Sequence, residues 1–159
     1  MSAEARIAEL GLQLPEITPQ GVYRPVSVAG NMAYTSGHPP LRPDGSMVKG
    51  RVGEDLDVEE GYQAAKLTGL AILASLRAEL GSLDRVRRVV KVLGLVNAAA
   101  DFTQHPAVIN GCSELFRDVF GPRAGLGARS AVGAGSLPQG IAVEIEAIFE
   151  IRNLNTPSE

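Results

Sequence analysis

Two ionisable side chains in the last third of the chain carry the strongest chemical signal. Arg129 stands among small residues, Gly125, Gly127, Ala128, Ser130, Ala131 and Gly133. Small neighbours let a ligand approach the backbone, and a guanidinium offers a planar fork of donors that matches a carboxylate. The same arginine is equally at home on a surface, paired with a glutamate. Glu144 lies in the next strand-like run. If residues 128–135 and 141–151 form a hairpin turning between Ser136 and Leu137, Arg129 and Glu144 stand directly opposite, with Cβ atoms about 5 Å apart. A one-residue slip puts them on different faces. Such a pair is either a structural salt bridge or a site where the arginine holds a carboxylate and the glutamate handles a proton or a water.

Other polar groups add less. Ser36-Gly37-His38 invites a hydrolase reading, but the chain has no G-x-S-x-G elbow and no evident third triad member. A hydroxyl at a strand end that hydrogen-bonds a ligand fits Ser36 better. Tyr23 offers a phenol to the same cleft or simply packs. Cys112 falls on the apolar stripe of a helix and reads as a buried spacer, and His105 as a helix-start residue. One cysteine and two histidines, His38 and His105, leave no C-x-x-C or H-x-x-x-H spacing for zinc and no internal disulfide. No metal is expected.

Composition narrows the classes further. The chain of 159 residues is 45% hydrophobic and 21% charged, the balance of one globular domain. A net charge of −3 and 4% aromatics supply neither a phosphate-binding field nor a stacking platform, so nucleic acid is not an expected partner. Arg85, Arg87, Arg88 and Lys91 read as the solvated start of a strand. No membrane span or signal peptide is evident, so the expected location is the cytoplasm.

The elements that must position these residues are legible in outline. Residues 3–10 have a helical pattern stopped by Gly11 and Pro15, and residues 1–21 are read as an N-terminal helical appendage to a domain over 22–153, with 154–159 a disordered tail. Runs at 26–29 and 32–35, split by Gly30-Asn31, predict a hairpin. Asp57 and Glu60 form a capping box for a helix ending at Gly81, with Ala64, Leu67, Ala71, Ala74 and Ala78 at helical spacing. A β-branched strand over 86–96, a helix over 106–120 stopped by Gly121-Pro122, and two further strands follow. In the last strand Val143, Ile145, Ala147, Phe149 and Ile151 alternate with Glu144, Glu146, Ile148 and Glu150. The pattern predicts an α+β fold, two helices packed on one face of a mixed, mostly antiparallel sheet. The other face must meet solvent or another subunit.

Taken together, Gly30-Asn31-Met32-Ala33-Tyr34-Thr35-Ser36-Gly37, Ala128-Arg129-Ser130, Leu137-Pro138 and Val143-Glu144-Ile145-Glu146 resemble the signature of the RidA/YjgF family of enamine/imine deaminases, often labelled endoribonuclease L-PSP. The resemblance covers roughly residues 22–151. Asn110-Gly111-Cys112-Ser113 through Val119-Phe120-Gly121 and the N-terminal helix resemble one bacterial branch of it.

The resemblance implies a chorismate-mutase-like fold in a homotrimer, with sheets lining an inner barrel and clefts between subunits. It implies that Arg129 binds a carboxylate, Glu144 handles water, and Ser36, Gly37, Tyr23 and Ser130 contact substrate, with no cofactor. The reaction implied is hydrolytic deamination of 2-imino or 2-enamino acids to 2-keto acids and ammonia. Two positions depart from the family: Ala131 replaces a frequent cysteine, and Leu95 stands where a pocket aromatic is expected, so both alter the pocket wall. The alternatives are a non-catalytic trimeric binder of small carboxylates or keto acids, and a ribonuclease or translation inhibitor.

Overall fold

The structure is a computed structural model, and it describes residues 1–153. The tail expected over 154–159 lies outside the described residues. The elements in order are α1 (Ala3–Glu9), β1 (Val26–Ala29), β2 (Met32–Thr35), α2 (Val58–Leu80), β3 (Val86–Asn97), α3 (His105–Phe120), β4 (Ala128–Ala134) and β5 (Val143–Ile151). The strands form one sheet in the order β1-β2-β5-β3-β4, antiparallel throughout except for the parallel β3–β4 pair. Helices α2 and α3 lie side by side on one face. The expected α+β architecture is the one observed.

Local chemistry accounts for the element ends. Asp57 Oδ1 accepts from the Glu60 amide at 2.8 Å, and Glu60 Oε1 accepts from the Asp57 amide at 3.3 Å, closing the capping box of α2. Gly81 ends that helix at φ +82°. In the β1–β2 hairpin only Gly30 takes a positive φ, +59°, the pattern of a type II′ rather than a type I′ turn.

One expected pairing is not formed. Strands β4 and β5 are consecutive but are not neighbours: β3 runs between them. The connection through α3 returns the chain to the same end of the sheet, which makes β4 parallel to β3 and places it at the edge. Strand β5 takes the position between β2 and β3, because its alternating residues Val143, Ile145, Ala147, Phe149 and Ile151 are the most apolar core face available, all at most 2% exposed.

Glycines set how closely the two long helices approach. A Cβ at Gly111 of α3 would fall 2.0 Å from the Tyr62 carbonyl oxygen of α2, and one at Gly69 of α2 would fall 2.8 Å from Leu115. Ala64 and Ala71 of the predicted small-residue stripe are buried, whereas Ala78 is exposed, because α2 divides its apolar surface between sheet and α3. Helix α1, read from the sequence as an appendage, places Ala3 and Ile7 in the core. Glu4 accepts from Arg77 Nη2 at 2.6 Å and from the Leu83 amide at 2.9 Å, and Arg6 donates to the Val119 carbonyl at 3.2 Å.

The obstacle at Gly111 is backbone, which a rotamer change cannot relieve. Gly111→Ala is therefore expected to lower stability by about 1–3 kcal/mol, the usual cost of overpacking, read as a lower urea midpoint; an unchanged midpoint would contradict so close a crossing.

Candidate functional site

Strand register decides which of the candidate residues can meet. Arg129 is in register with Val92, whose side chain is buried beneath the helices, so Arg129 points to the helix side of the sheet. Glu144 is in register with Leu95 on the opposite, open face. The expected Arg129–Glu144 hairpin pair is therefore corrected. The two Cα atoms are two strands and three residues apart, roughly 14 Å at about 4.8 Å per strand and 3.3 Å per residue, and the side chains diverge.

On the helix side, the edge strand and α3 together hold the guanidinium. Arg129 Nη1 donates to Asn110 Oδ1 at 2.8 Å and to Ser113 Oγ at 3.1 Å. Among the described residues Arg129 makes no ion pair, so it is not the surface salt bridge considered above. Asn110 and Ser113 were not singled out as site residues. Their i, i+3 spacing on the flank of the apolar stripe of α3 was the available signal, since such residues share a helix face. Ala131 is in register with Gly94 on this same side, and farther along the strand a Cβ at Gly133 would fall 2.8 Å from His105 Nε2.

The open face carries the rest. Leu95 lies between Glu144 and Val132, so the two expected wall residues, Leu95 and Ala131, are on different faces. Ser130 also faces this side, 3.5 Å from Lys91 Nζ. Glu144 packs against the chain just after β2, where a Cβ at Gly37 would fall 2.7 Å from its carboxyl carbon. A side chain at 37 would have to displace that carboxyl. Ser36 Oγ donates to the Arg24 carbonyl at 2.6 Å, which ties the segment next to Tyr23 to the end of β2; Tyr23 is 49% exposed, and its hydroxyl accepts from the Gln20 amide at 3.3 Å. Glu144, Leu95 and Ser130 thus share one face, with Gly37 packed against Glu144, and Arg129 and Ala131 lie on the other.

Burial, and then repulsion from Glu146, push the Glu144 carboxyl above the ordinary glutamate range. Cys112 is fully buried on α3, and burial pushes its thiol far up despite the nearby Arg129, which removes it as a nucleophile. His38 is 2% exposed; its Nδ1 lies 2.6 Å from the Ser36 carbonyl and its Nε2 2.8 Å from Ser75 Oγ. Burial lowers its pKa, with the Ser36 bond opposing. Among the described residues no group of three or more metal-ligating side chains is gathered, and no helix is long and apolar enough to cross a membrane. A cavity of about 530 Å³ lies between residues 13–18, residues 41–45 and α2, away from all of these residues.

Two titrations follow. The Glu144 side-chain carboxyl, followed by 13C NMR, is expected to titrate above a free glutamate, and Glu146→Gln to lower its midpoint; no movement would remove Glu146 as a cause. For His38, a folded pKa below the unfolded value of 6.5 means that the unfolded chain binds the proton first. Its contribution is complete above pH 6.5 and declines as pH falls below it, until the folded-state pKa is reached. His38→Gln is expected to flatten that slope in denaturant titrations, and equal slopes would contradict it.

Residues 4–141 match the family described as "YjgF/chorismate_mutase-like, putative endoribonuclease". Protein TCP17 of Trypanosoma cruzi is 39% identical over 94% of each chain. The crystal structure of protein Atu1372 from Agrobacterium tumefaciens is 42% identical, covers 94% of each chain and superposes with a TM-score of 0.86. That of a "putative endoribonuclease" from Shewanella oneidensis is 30% identical over 95% of this chain and 100% of its own, with a TM-score of 0.90.

Proposed function

The chain belongs to the YjgF/chorismate-mutase-like family, and from that premise we propose that it hydrolyses reactive 2-imino and 2-enamino acids to 2-keto acids and ammonia in the cytoplasm, as a homotrimer. The observation that carries the reading is the state of Arg129: one guanidinium nitrogen is held by Asn110 and Ser113, and no carboxylate of the described chain pairs with it. A guanidinium oriented from behind is suited to take a ligand carboxylate.

Glu144 supplies the complementary chemistry. Its raised pKa suits a group that takes a proton from water as the water oxygen bonds to the imine carbon. The C=N electron pair moves to nitrogen, which takes that proton from the carboxyl and leaves a carbinolamine. The carboxylate then takes the hydroxyl proton and passes it to nitrogen as the C=O bond forms and the C–N bond breaks, releasing ammonia and leaving the keto acid. Arg129 holds the substrate carboxylate throughout, Ser36, Gly37, Tyr23 and Ser130 contact the substrate, and the reaction needs no cofactor.

Because Arg129 and Glu144 diverge from opposite faces of one sheet, a cleft using both takes them from two copies. The unpaired edge of β4 and an open face bearing Tyr34 and Val132, 44% and 45% exposed, support such an assembly. The ribonuclease reading has the wording of the family description in its favour. Against it stands the basic run at the start of β3, where Arg88 is already paired with Glu150 at 2.6 Å.

In an assay where an amino-acid oxidase generates imines, the protein is expected to accelerate keto-acid formation. Arg129→Ala should lower kcat/KM by roughly 10- to 150-fold, the worth of a charge-assisted hydrogen bond of about 1.5–3 kcal/mol. Glu144→Gln should lower it at least as far. Refolded together, the two variants should recover about a quarter of the activity, the fraction of clefts that draw both intact residues from different chains. No acceleration with any imine, but retained keto-acid binding, would favour the non-catalytic binder; no recovery on mixing would exclude the shared cleft.

A further inference from the structure

His38 has no part in the reaction as written, yet it is the most constrained polar side chain near Glu144. Strand β2 ends at Thr35, so Ser36 and Gly37 lie beyond its ladder. The Ser36 amide is held by the Pro25 carbonyl at 2.9 Å, and the His38 backbone exchanges bonds with Ile145, 2.9 Å from its amide and 3.3 Å to its carbonyl. The Ser36 carbonyl takes its bond from the imidazole, Nδ1 at 2.6 Å. A carbonyl can only accept, so Nδ1 carries the proton and Nε2 accepts from the Ser75 hydroxyl of α2.

We propose that the His38–Ser75 pair is the positioning device for the Glu144 carboxyl, locking the Ser36–Gly37 segment against which that carboxyl rests. The inference relies on the reading of Glu144 as the proton-handling group. The chain of contacts is short: Ser75 orients the ring, the ring fixes the Ser36 carbonyl and with it the 36–37 peptide, and Gly37 meets Glu144 at van der Waals range. Both ends of the chain are rigid, since Ser75 is 4% exposed on a packed helix and Ile145 is fully buried in the central strand.

The hydrogen-bond partners of the ring are neutral, Ser75 from α2 and the Ser36 carbonyl from the end of β2, while β5 holds the His38 backbone through Ile145 and the Glu144 carboxyl lies beyond Gly37. No charged side chain bonds the imidazole. Above pH 6.5 the ring is therefore neutral and keeps its donor and acceptor in place, consistent with the downward shift that burial gives it. A carboxyl misplaced by about 1 Å can cost on the order of a hundredfold in rate, so a second-tier contact of this kind is sufficient to govern turnover.

The test uses the full chain with Ser75→Ala, His38→Leu and His38→Gln, the last retaining one donor and one acceptor without titrating. Ser75→Ala removes a single buried hydroxyl and keeps the test valid should His38→Leu fail to fold. Two readouts are compared: the 13C titration midpoint of the Glu144 carboxyl, and the kcat and KM for an imine generated in situ. Ser75→Ala and His38→Leu are expected to move the Glu144 midpoint and lower kcat roughly tenfold or more, with a smaller rise in KM, because Ser36 and Gly37 also contact the substrate while Arg129 is untouched. His38→Gln should restore both. An unmoved midpoint in a folded Ser75→Ala or His38→Leu protein, with only the melting temperature lowered, would overturn the proposal. If the wild-type protein turns over no imine, the deaminase reading fails, while the Glu144 midpoint still decides whether His38 positions it.

Discussion

The burial of one face of β5 is the constraint on which the rest depends. Val143, Ile145, Ala147, Phe149 and Ile151 can leave water together only beneath the helices and between two other strands, and β5 is accordingly flanked by β2 and β3. Period-two geometry then turns Glu144, Glu146 and Glu150 to the open face without further choice. The same placement brings Ile145 beside His38, so that the segment after β2 is fastened to the central strand next to Glu144.

With the centre occupied, β4 is left at the edge, and its inward residue Arg129 meets α3 rather than β5. A single chain thus carries the two halves of the proposed chemistry back to back. One is a carboxylate-binding guanidinium on the helix side; the other is a carboxyl with an elevated pKa on the open side. The division gives the proposed assembly a chemical purpose in addition to covering apolar surface: the proposed reaction would draw on two copies because one sheet has two faces.

Close packing supports both halves. Glycines at 69 and 111 let α2 and α3 approach until backbone nearly meets side chain and carbonyl. That approach places α3 where Asn110 and Ser113 reach Arg129. It also holds Ser75 of α2 against His38. Interiors packed this tightly transmit small displacements rather than absorbing them, so residues outside the proposed cleft set its geometry.

The sequence by itself determined what depends on neighbours along the chain. The Asp57–Glu60 box, the Gly81 and Gly121 stops, the Gly30 hairpin and the alternation of β5 are local, and each is found in place. Arg129 and Glu144 were conspicuous by type and surroundings, but their relation was misjudged. Consecutive strands pair about two times in three, and nothing local distinguishes a hairpin from two strands separated by a third. Only the tertiary structure decided that, because strand order is set by competition among all the apolar faces for the middle of the sheet. The partners of Arg129 and the role of Gly37 were hidden for the same reason. They depend on which distant surfaces are pressed together, and no spacing along the chain records that.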